Sequence, residues 1–116
     1  MKLLSEKVKK PWGEFYDFAE RSGKWHLKLI HVKKGQRLSL QKHKLRREFW
    51  VVAEGAIKVQ LGKRAMRLGA GDSCFIKQGL PHRLAGVTDA LVVEISYGRH
   101  DEKDIVRLAD DYGRIS

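Results

Sequence analysis

Four polar residues in two glycine-bounded segments are the part of this sequence most able to do chemistry: Gln41, His43, Glu48 and His82. The first three lie in the segment 35–55, and the fourth ends the segment 71–82. A neutral imidazole, a carboxylate and an amide oxygen together suit a divalent cation of borderline or hard character. The two segments therefore predict one metal site, built from two pairs of strands.

The residues before His43 alternate between polar and apolar types. The even-numbered positions hold Leu38 and Leu40, and the odd-numbered positions hold Arg37, Ser39, Gln41 and His43. Successive side chains of a strand point to opposite faces. The polar stripe therefore either faces inward, with a metal and a polar substrate as partners for its buried groups, or faces water while the leucines fill the core. Alternation alone leaves both interpretations open.

Short apolar stretches between glycine turns predict the elements that must position these residues. The expected strands are 12–19, 25–32, 37–41, 49–53, 56–61, 65–68, 73–76 and 90–97. Many short strands joined by glycine turns are typical of an all-β sandwich or barrel. Helical periodicity is almost absent, and only the segment 101–108 is expected to hold a short helix. The residues 110–114 are expected to form an ordered cap.

Length and composition narrow the class of protein. A chain of 116 residues predicts a single domain, 1–116, with one core. Its only cysteine, Cys74, excludes an intrachain disulfide and is expected to be a buried strand residue. No apolar stretch is long enough for a signal peptide or a membrane span. We therefore expect a cytoplasmic protein with no membrane partner.

The formal net charge of +10, from 24 basic against 14 acidic residues, favours anionic partners. The basic residues are spread over several short clusters, which is typical of a solvated surface. Aromatic residues do not alternate with them in the pattern of single-strand nucleic-acid binding. We therefore expect no specific nucleic acid partner, which leaves phosphorylated metabolites and acidic surfaces as anionic partners.

The spacing of the two polar segments resembles the two motifs of the cupins. Gln41 stands where most cupins have the first histidine, Lys77 where proline is usual, and Gly86 where asparagine is usual. The resemblance implies a cupin double-stranded β-helix, that is, a jelly-roll barrel. It also implies one divalent metal, held by Gln41, His43, Glu48 and His82.

A narrower resemblance covers nearly the whole chain. The segments that carry it are 11–13, 37–41, 48–52, 81–84 and 104–114. They are similar to the type II phosphomannose isomerase domain, which often forms the carboxyl-terminal part of a bifunctional isomerase–guanylyltransferase. Glutamine at the first metal position is usual in that group, so Gln41 matches it. Lys44 and Leu45 depart from it, because they occupy positions where the group has histidines.

This resemblance implies a sugar-phosphate isomerase of carbohydrate metabolism and polysaccharide biosynthesis. Its reaction would interconvert mannose 6-phosphate and fructose 6-phosphate, with a small sugar phosphate as the partner molecule. Zinc is the expected metal, with cobalt, manganese, nickel and iron as alternatives. Arg83 and Lys28 are the expected catalytic residues, which would stabilise anionic oxygen or hold the phosphate, and Arg37 is a less favoured candidate for the same role. Glu94 is a candidate for the base, with a structural ion pair as the alternative role.

One alternative function stays open, namely a non-catalytic cupin module that binds a sugar or a sugar phosphate. The altered segment Lys44–Leu45 favours it.

The oligomeric state is a separate expectation. The resemblance to cupins implies a homodimer, and an apolar amino-terminal strand could extend a partner's sheet.

Overall fold

The computed structural model describes residues 1–101 and 103–114 and folds them into two facing antiparallel sheets. Its eleven strands are β1 (Lys2–Lys10), β2 (Gly13–Arg21), β3 (Trp25–Val32), β4 (Leu40–Lys42), β5 (Arg46–Glu54), β6 (Ala56–Leu61), β7 (Arg64–Gly69), β8 (Ser73–Ile76), β9 (His82–Gly86), β10 (Ala90–Gly98) and β11 (Val106–Ala109). The predicted all-β jelly-roll class is confirmed.

The two sheets differ in size and in the strands that they bring together. The larger sheet has the order β1-β2-β3-β10-β5-β8, and the smaller has the order β11-β4-β9-β6-β7. Strands distant in sequence therefore become neighbours, as when β10 lies between β3 and β5. In the smaller sheet, Gln41 of β4 is paired directly with His82 of β9. This pairing brings the two polar segments into contact.

Alternation within the strands of the larger sheet separates an inner face from an outer face. On β5 the buried positions are Arg46, Glu48, Trp50 and Val52, while the residues between them are half-buried or exposed. The deeper end of the inner face is apolar, with Val32, Val52 and Val92 completely or almost completely buried. At the other end of the inner face the buried groups are polar. The same sandwich therefore contains both an apolar core and a polar cavity.

Gly55 and Gly86 are among the glycines where a side chain would collide with the backbone. Gly55, between β5 and β6, has a φ of 79°, and a Cβ added to it would lie 2.2 Å from the carbonyl oxygen of Asp89. A Cβ at Gly86 would lie 2.6 Å from the carbonyl oxygen of Lys33. The close approach of that loop accounts for glycine at position 86, where cupins usually have asparagine.

The expected short helix at 101–108 is wrong. Part of that segment forms strand β11 (Val106–Ala109), which pairs with β4 at the edge of the smaller sheet. Residues after β11 form a turn, and Tyr112 packs against the core and donates a hydrogen bond to the side chain of Gln36 (2.7 Å). Among the described residues, no helix is long and apolar enough to span a membrane.

Candidate metal centre

Three of the four predicted metal ligands meet at the buried end of the cavity. One ligand atom from each of His43, Glu48 and His82 lies within 4.8 Å of the other two. All three side chains are at least 97% buried. They come from three places in the chain: the loop after β4, the inner face of β5 and the start of β9. The cluster therefore depends on the pairing of both sheets.

Backbone carbonyl groups fix the orientation of both imidazoles. Nδ1 of His43 lies 2.5 Å from the carbonyl oxygen of Asp104, and Nδ1 of His82 lies 2.9 Å from that of Leu80. A carbonyl oxygen only accepts hydrogen bonds, so each Nδ1 carries the proton and donates it. In a neutral imidazole, Nε2 is then an acceptor. Both rings thus direct a lone pair toward Glu48.

The surroundings keep both imidazoles neutral. Burial, together with the nearby positive charge of Arg46, lowers the pKa of His43 from its usual 6.5 to about 4. Burial also lowers the pKa of His82. Neutral imidazole is the form that binds a metal ion, so both histidines are in the ligating form at neutral pH.

Arg46 neutralises part of the charge in this cluster. Its Nε donates to Oε2 of Glu48 at 2.9 Å, and its Nη2 lies 3.3 Å from Nε2 of His43. The same guanidinium lies 4.0 Å from the carboxylate of Glu94. Sequence patterning does not single out Arg46, because it lies in the basic run 42–47, which is typical of a solvated surface. The signal was present, because it lies two residues before Glu48 and therefore on the same face of the strand.

Two buried acceptor atoms in the cluster have no donor. Oε1 of Glu48 and Nε2 of His82 are 3.5 Å apart, and neither has a hydrogen-bond partner within the part of the chain that the structure describes. Two lone pairs cannot hydrogen-bond to each other, and unsatisfied buried polar atoms are costly. A cation between them satisfies both, so this donor set fits a divalent metal ion.

Gln41 lies beside this cluster on β4. Its Oε1 accepts a hydrogen bond from the hydroxyl of Ser39 (2.8 Å), and its Nε2 is 3.5 Å from Nε2 of His43. Gln41 and His43 line the cavity, and Ser39 and His43 are almost fully buried. Three of the four polar positions of the alternating stripe therefore face inward, while Arg37 is exposed and pairs with Asp111. Leu38 lines the same cavity, because strict alternation does not extend into the residues before β4.

The cavity has a volume of about 90 Å³ and lies between the β1–β3 side of the larger sheet and the β4–β11 edge of the smaller one. Its lining combines apolar side chains such as Trp12 and Phe15 with a polar set at the metal cluster. Its charged lining residues are Lys10, Lys28, Arg46, Glu94, Asp104, Arg107 and Arg114. Five cations against two carboxylates make the cavity suited to an anionic ligand.

The two predicted catalytic residues have different positions. Lys28 lines the cavity, with its Nζ 4.2 Å from the centre of the Phe15 ring and its strand position directly opposite Glu94. Arg83 follows His82 on β9 and therefore points to the other face of the strand. Its Nε donates to the carbonyl of Leu38 at 2.9 Å, and its Nη2 donates to that of Ala109 at 3.4 Å. Arg83 is thus outside the cavity lining, and its predicted contact with substrate has no support from this geometry.

Glu94 is the buried carboxylate next to the cluster. Burial, together with the negative charge of Glu48, raises its pKa to about 7. The hydroxyl of Ser96 donates to its Oε1 at 3.2 Å. A carboxylate with a pKa near 7 can both accept and return a proton at neutral pH, as general acid–base catalysis requires.

Lys44 and Leu45, the clearest departures from the isomerase resemblance, have exposed side chains that do not line the cavity. Their backbone N–H groups both donate to the carboxylate of Asp104 at 2.8 Å. The same residue accepts the hydrogen bond from His43 through its carbonyl oxygen. Asp104 therefore fixes the loop that carries His43, and the side chains at 44 and 45 leave the cavity unchanged.

Comparison with solved structures identifies the architecture. The chain aligns with a nucleoside dehydratase, Pac13, over 97% of its length and 88% of that chain (TM-score 0.81, 16% identity). It aligns with KdgF from Halomonas sp. over 88% of its length and 99% of that chain (TM-score 0.79, 18% identity). An RmlC-like cupin from Shewanella frigidimarina matches with a TM-score of 0.76 and 17% identity, over 85% of this chain and 88% of that one. At these identities the likeness shows the cupin fold alone.

Relatives matched by sequence have a higher identity to this chain than these solved structures. A mannose-1-phosphate guanylyltransferase of Escherichia coli is 38% identical over 115 residues, which are 97% of this chain and 24% of that protein. The xanthan biosynthesis protein XanB of Xanthomonas campestris is 39% identical over 111 residues, 93% of this chain and 24% of the relative. The chain thus spans about a quarter of the length of these relatives. The model of the family "mannose-6-phosphate isomerase C-terminal" matches residues 2–110. This protein therefore belongs to the mannose-6-phosphate isomerase C-terminal family and has the cupin fold.

Proposed function

We propose that this protein is a metal-dependent isomerase that interconverts mannose 6-phosphate and fructose 6-phosphate. The observation that carries the proposal is the pair of buried acceptors without donors, Glu48 Oε1 and His82 Nε2, beside a carboxylate whose pKa is about 7. Membership of the family supports the choice of sugar phosphate. The excess of cations in the cavity lining supports an anionic substrate.

His43, Glu48 and His82 would hold the metal ion, and Gln41 would be the fourth protein ligand once its side-chain amide turns its oxygen from Ser39 toward the cluster. Imidazole and carboxylate ligands favour zinc, and the same set also accepts cobalt, manganese, nickel or iron. When bound, the ion supplies a Lewis acid that polarises oxygen atoms of the sugar.

The isomerisation needs a base that moves one proton between neighbouring carbons. In the direction from mannose, the proton at C2 is removed and returned to C1, while the hydroxyl proton at O2 is lost and O1 gains one. Glu94 can be the base that moves the proton from C2 to C1, because it lines the cavity and its pKa lies near neutral pH. Lys28 lies opposite Glu94 and can stabilise the negative charge that develops on the substrate oxygens.

We also propose a homodimer that forms through the outer face of the larger sheet. Two cross-strand rows on that face carry no charge: Phe75–Phe49–Ile95–Leu27 and Val51–Val93–Leu29–Tyr16. The edge strand β1 is rich in lysine, which opposes pairing of edge strands. Two uncharged centres can meet without repulsion although the chain carries +10. A Val93→Glu variant should be monomeric in analytical ultracentrifugation, whereas Lys58→Glu should match the unsubstituted chain.

The deciding experiment is a coupled assay with mannose 6-phosphate and fructose 6-phosphate, run with zinc, cobalt, manganese, nickel and iron(II) in turn. Metal-dependent turnover in both directions is expected. Saturable binding of a sugar phosphate without turnover under any metal would contradict the isomerase. That result would support the alternative of a non-catalytic binding module.

A further inference from the structure

The cations that line the cavity lie at two depths. Lys28 and Arg46 are buried, close to Glu94 and Glu48, whereas Lys10, Arg107 and Arg114 are half-buried. The half-buried three come from the end of β1, from β11 and from the segment after it. The buried pair therefore lies at the candidate metal cluster, and the half-buried three, which come from both terminal segments, lie nearer to solvent.

Most of the charged lining residues already have partners. Arg46 pairs with Glu48, and Arg114 pairs with Asp110 through two of its nitrogens, at 2.9 and 3.1 Å. Asp104 accepts its two hydrogen bonds from backbone N–H groups. These groups are therefore committed to holding the protein together and are poor candidates for the main contact with a ligand.

Arg107 differs from them. It lies on β11 directly opposite Gln41, and its side chain lines the cavity. Its Nε is buried and has no hydrogen-bond partner, and within residues 1–101 and 103–114 it has no ion pair with a carboxylate. A buried guanidinium nitrogen without an acceptor is costly. An anionic ligand in the cavity would supply that acceptor.

We propose that Arg107 is the main ligand of the substrate's phosphate group, with Lys10 as the second cation. This inference rests on the proposed function and adds an orientation to it. The reacting carbons lie toward the metal cluster, and the phosphate lies toward the terminal segments. The guanidinium fork can donate two parallel hydrogen bonds to a phosphate, which an ammonium group cannot do.

The orientation defines the class of substrate. The phosphate must be on the carbon at the far end of the sugar from the carbonyl group, as in hexose 6-phosphates. A sugar 1-phosphate whose C1 and C2 face the metal cluster would hold its phosphate there and lose the contact with Arg107. Mannose 6-phosphate should therefore bind more tightly than mannose 1-phosphate, and Arg107 should account for most of the difference.

The test compares Arg107→Gln with Arg64→Gln, an exposed arginine of β7 outside the cavity. Binding of inorganic phosphate and of both mannose phosphates is measured by calorimetry on the full chain, with and without added zinc. The Arg107→Gln change should weaken binding of inorganic phosphate and of mannose 6-phosphate roughly ten- to a hundredfold, the usual effect of a lost hydrogen bond to a charged group. The Arg64→Gln change should leave both affinities unaltered.

Further readouts keep the test decisive. Arg107→Lys should restore part of the phosphate affinity, and it replaces Arg107→Gln if the glutamine variant fails to fold by circular dichroism. If isomerase activity is present, Arg107→Gln should raise KM for mannose 6-phosphate and leave kcat within about threefold. The lost contact holds the phosphate equally in the bound substrate and in the transition state. Unchanged phosphate affinity in Arg107→Gln, or equal affinity for the two mannose phosphates, would overturn the inference even in an active isomerase. Loss of phosphate affinity in a chain without turnover would support the phosphate site and refute only the reaction.

Discussion

Nε2 of His82 faces Oε1 of Glu48 across 3.5 Å, deep in the cupin barrel. Because Nδ1 of His82 donates to the carbonyl of Leu80, the facing nitrogen carries a lone pair. The two atoms therefore repel each other in the metal-free protein. A cation between them reverses this repulsion, and metal binding should raise the free energy of unfolding.

This relationship leads to a prediction for Glu48→Gln. The change removes a negative ligand with almost no change in volume, so zinc affinity should fall at least roughly a hundredfold. Metal content after dialysis and calorimetric titration measure the effect. Glu54→Gln, an exposed position on the same strand, is the matched control and should bind zinc normally. Equal zinc affinity in both variants would show that this cluster is not the metal site.

Glu94→Gln tests the proposed base. The amide cannot accept the proton, so kcat should fall by roughly 10² to 10⁴, while zinc content stays that of the unsubstituted chain. Steady-state kinetics in both directions, together with metal analysis, separate the two effects. Near-normal kcat in Glu94→Gln would assign proton transfer to another group.

The double variant Lys44→His/Leu45→His restores the histidines typical of the isomerase group. Because both side chains at these positions are exposed and outside the cavity, kcat/KM and zinc affinity should change less than about twofold. A large gain in activity would mean that side chains at these positions reach the substrate.

Arg83→Ala should reduce stability rather than act directly on the reaction. Arg83 connects β9 to the carbonyl groups of Leu38 and Ala109, and it lies 3.7 Å from Asp111. Loss of these contacts should cost about 1–3 kcal/mol of unfolding free energy, measured by urea denaturation. KM measured well below the melting temperature should stay unaltered. A large increase in KM at a temperature where the variant is fully folded would indicate that Arg83 contacts the substrate.

The histidine pKa values predict a pH dependence of stability. His43 has a folded-state pKa of about 4, lowered mainly by burial, against about 6.5 in the unfolded chain. Its contribution to stability is complete above pH 6.5 and is lost as the pH falls toward 4, because only the unfolded chain takes up the proton in that window. The melting temperature of the metal-free protein should therefore fall more steeply from pH 7 to 4.5 than that of His43→Gln. Glu94, with its raised pKa, acts in the opposite direction in both proteins, so the comparison isolates His43.

Local sequence patterns predicted the strands that alternate clearly. The expected strands 25–32, 56–61 and 73–76 coincide with β3, β6 and β8. The segment that became β1 has too many lysines for a clear alternation, and the short β9 has none. The segment 101–108 has no apolar alternation either, and its strand β11 forms because β4, far away in sequence, provides a partner. Pairing between distant strands has no local signal.

The candidate site, too, was predictable only in part. The residue types and spacing predicted one site, and the structure brings His43, Glu48 and His82 together with Gln41 beside them. The partners that orient them were not predictable, since the acceptors for both histidines are backbone carbonyl groups, which every residue has. Arg107 was missed because its position opposite Gln41 exists only after β11 pairs with β4.

The hydrogen bond between His43 and Asp104 joins residues 61 positions apart. A chain leaving the ribosome exposes His43, Glu48 and His82 before the carbonyl group that orients the first of them has emerged. The histidine can rotate freely during that interval, so an early encounter with a metal ion would not be restricted to the native geometry. The order of synthesis therefore makes completion of the carboxyl-terminal segment the step that commits the site to one coordination arrangement.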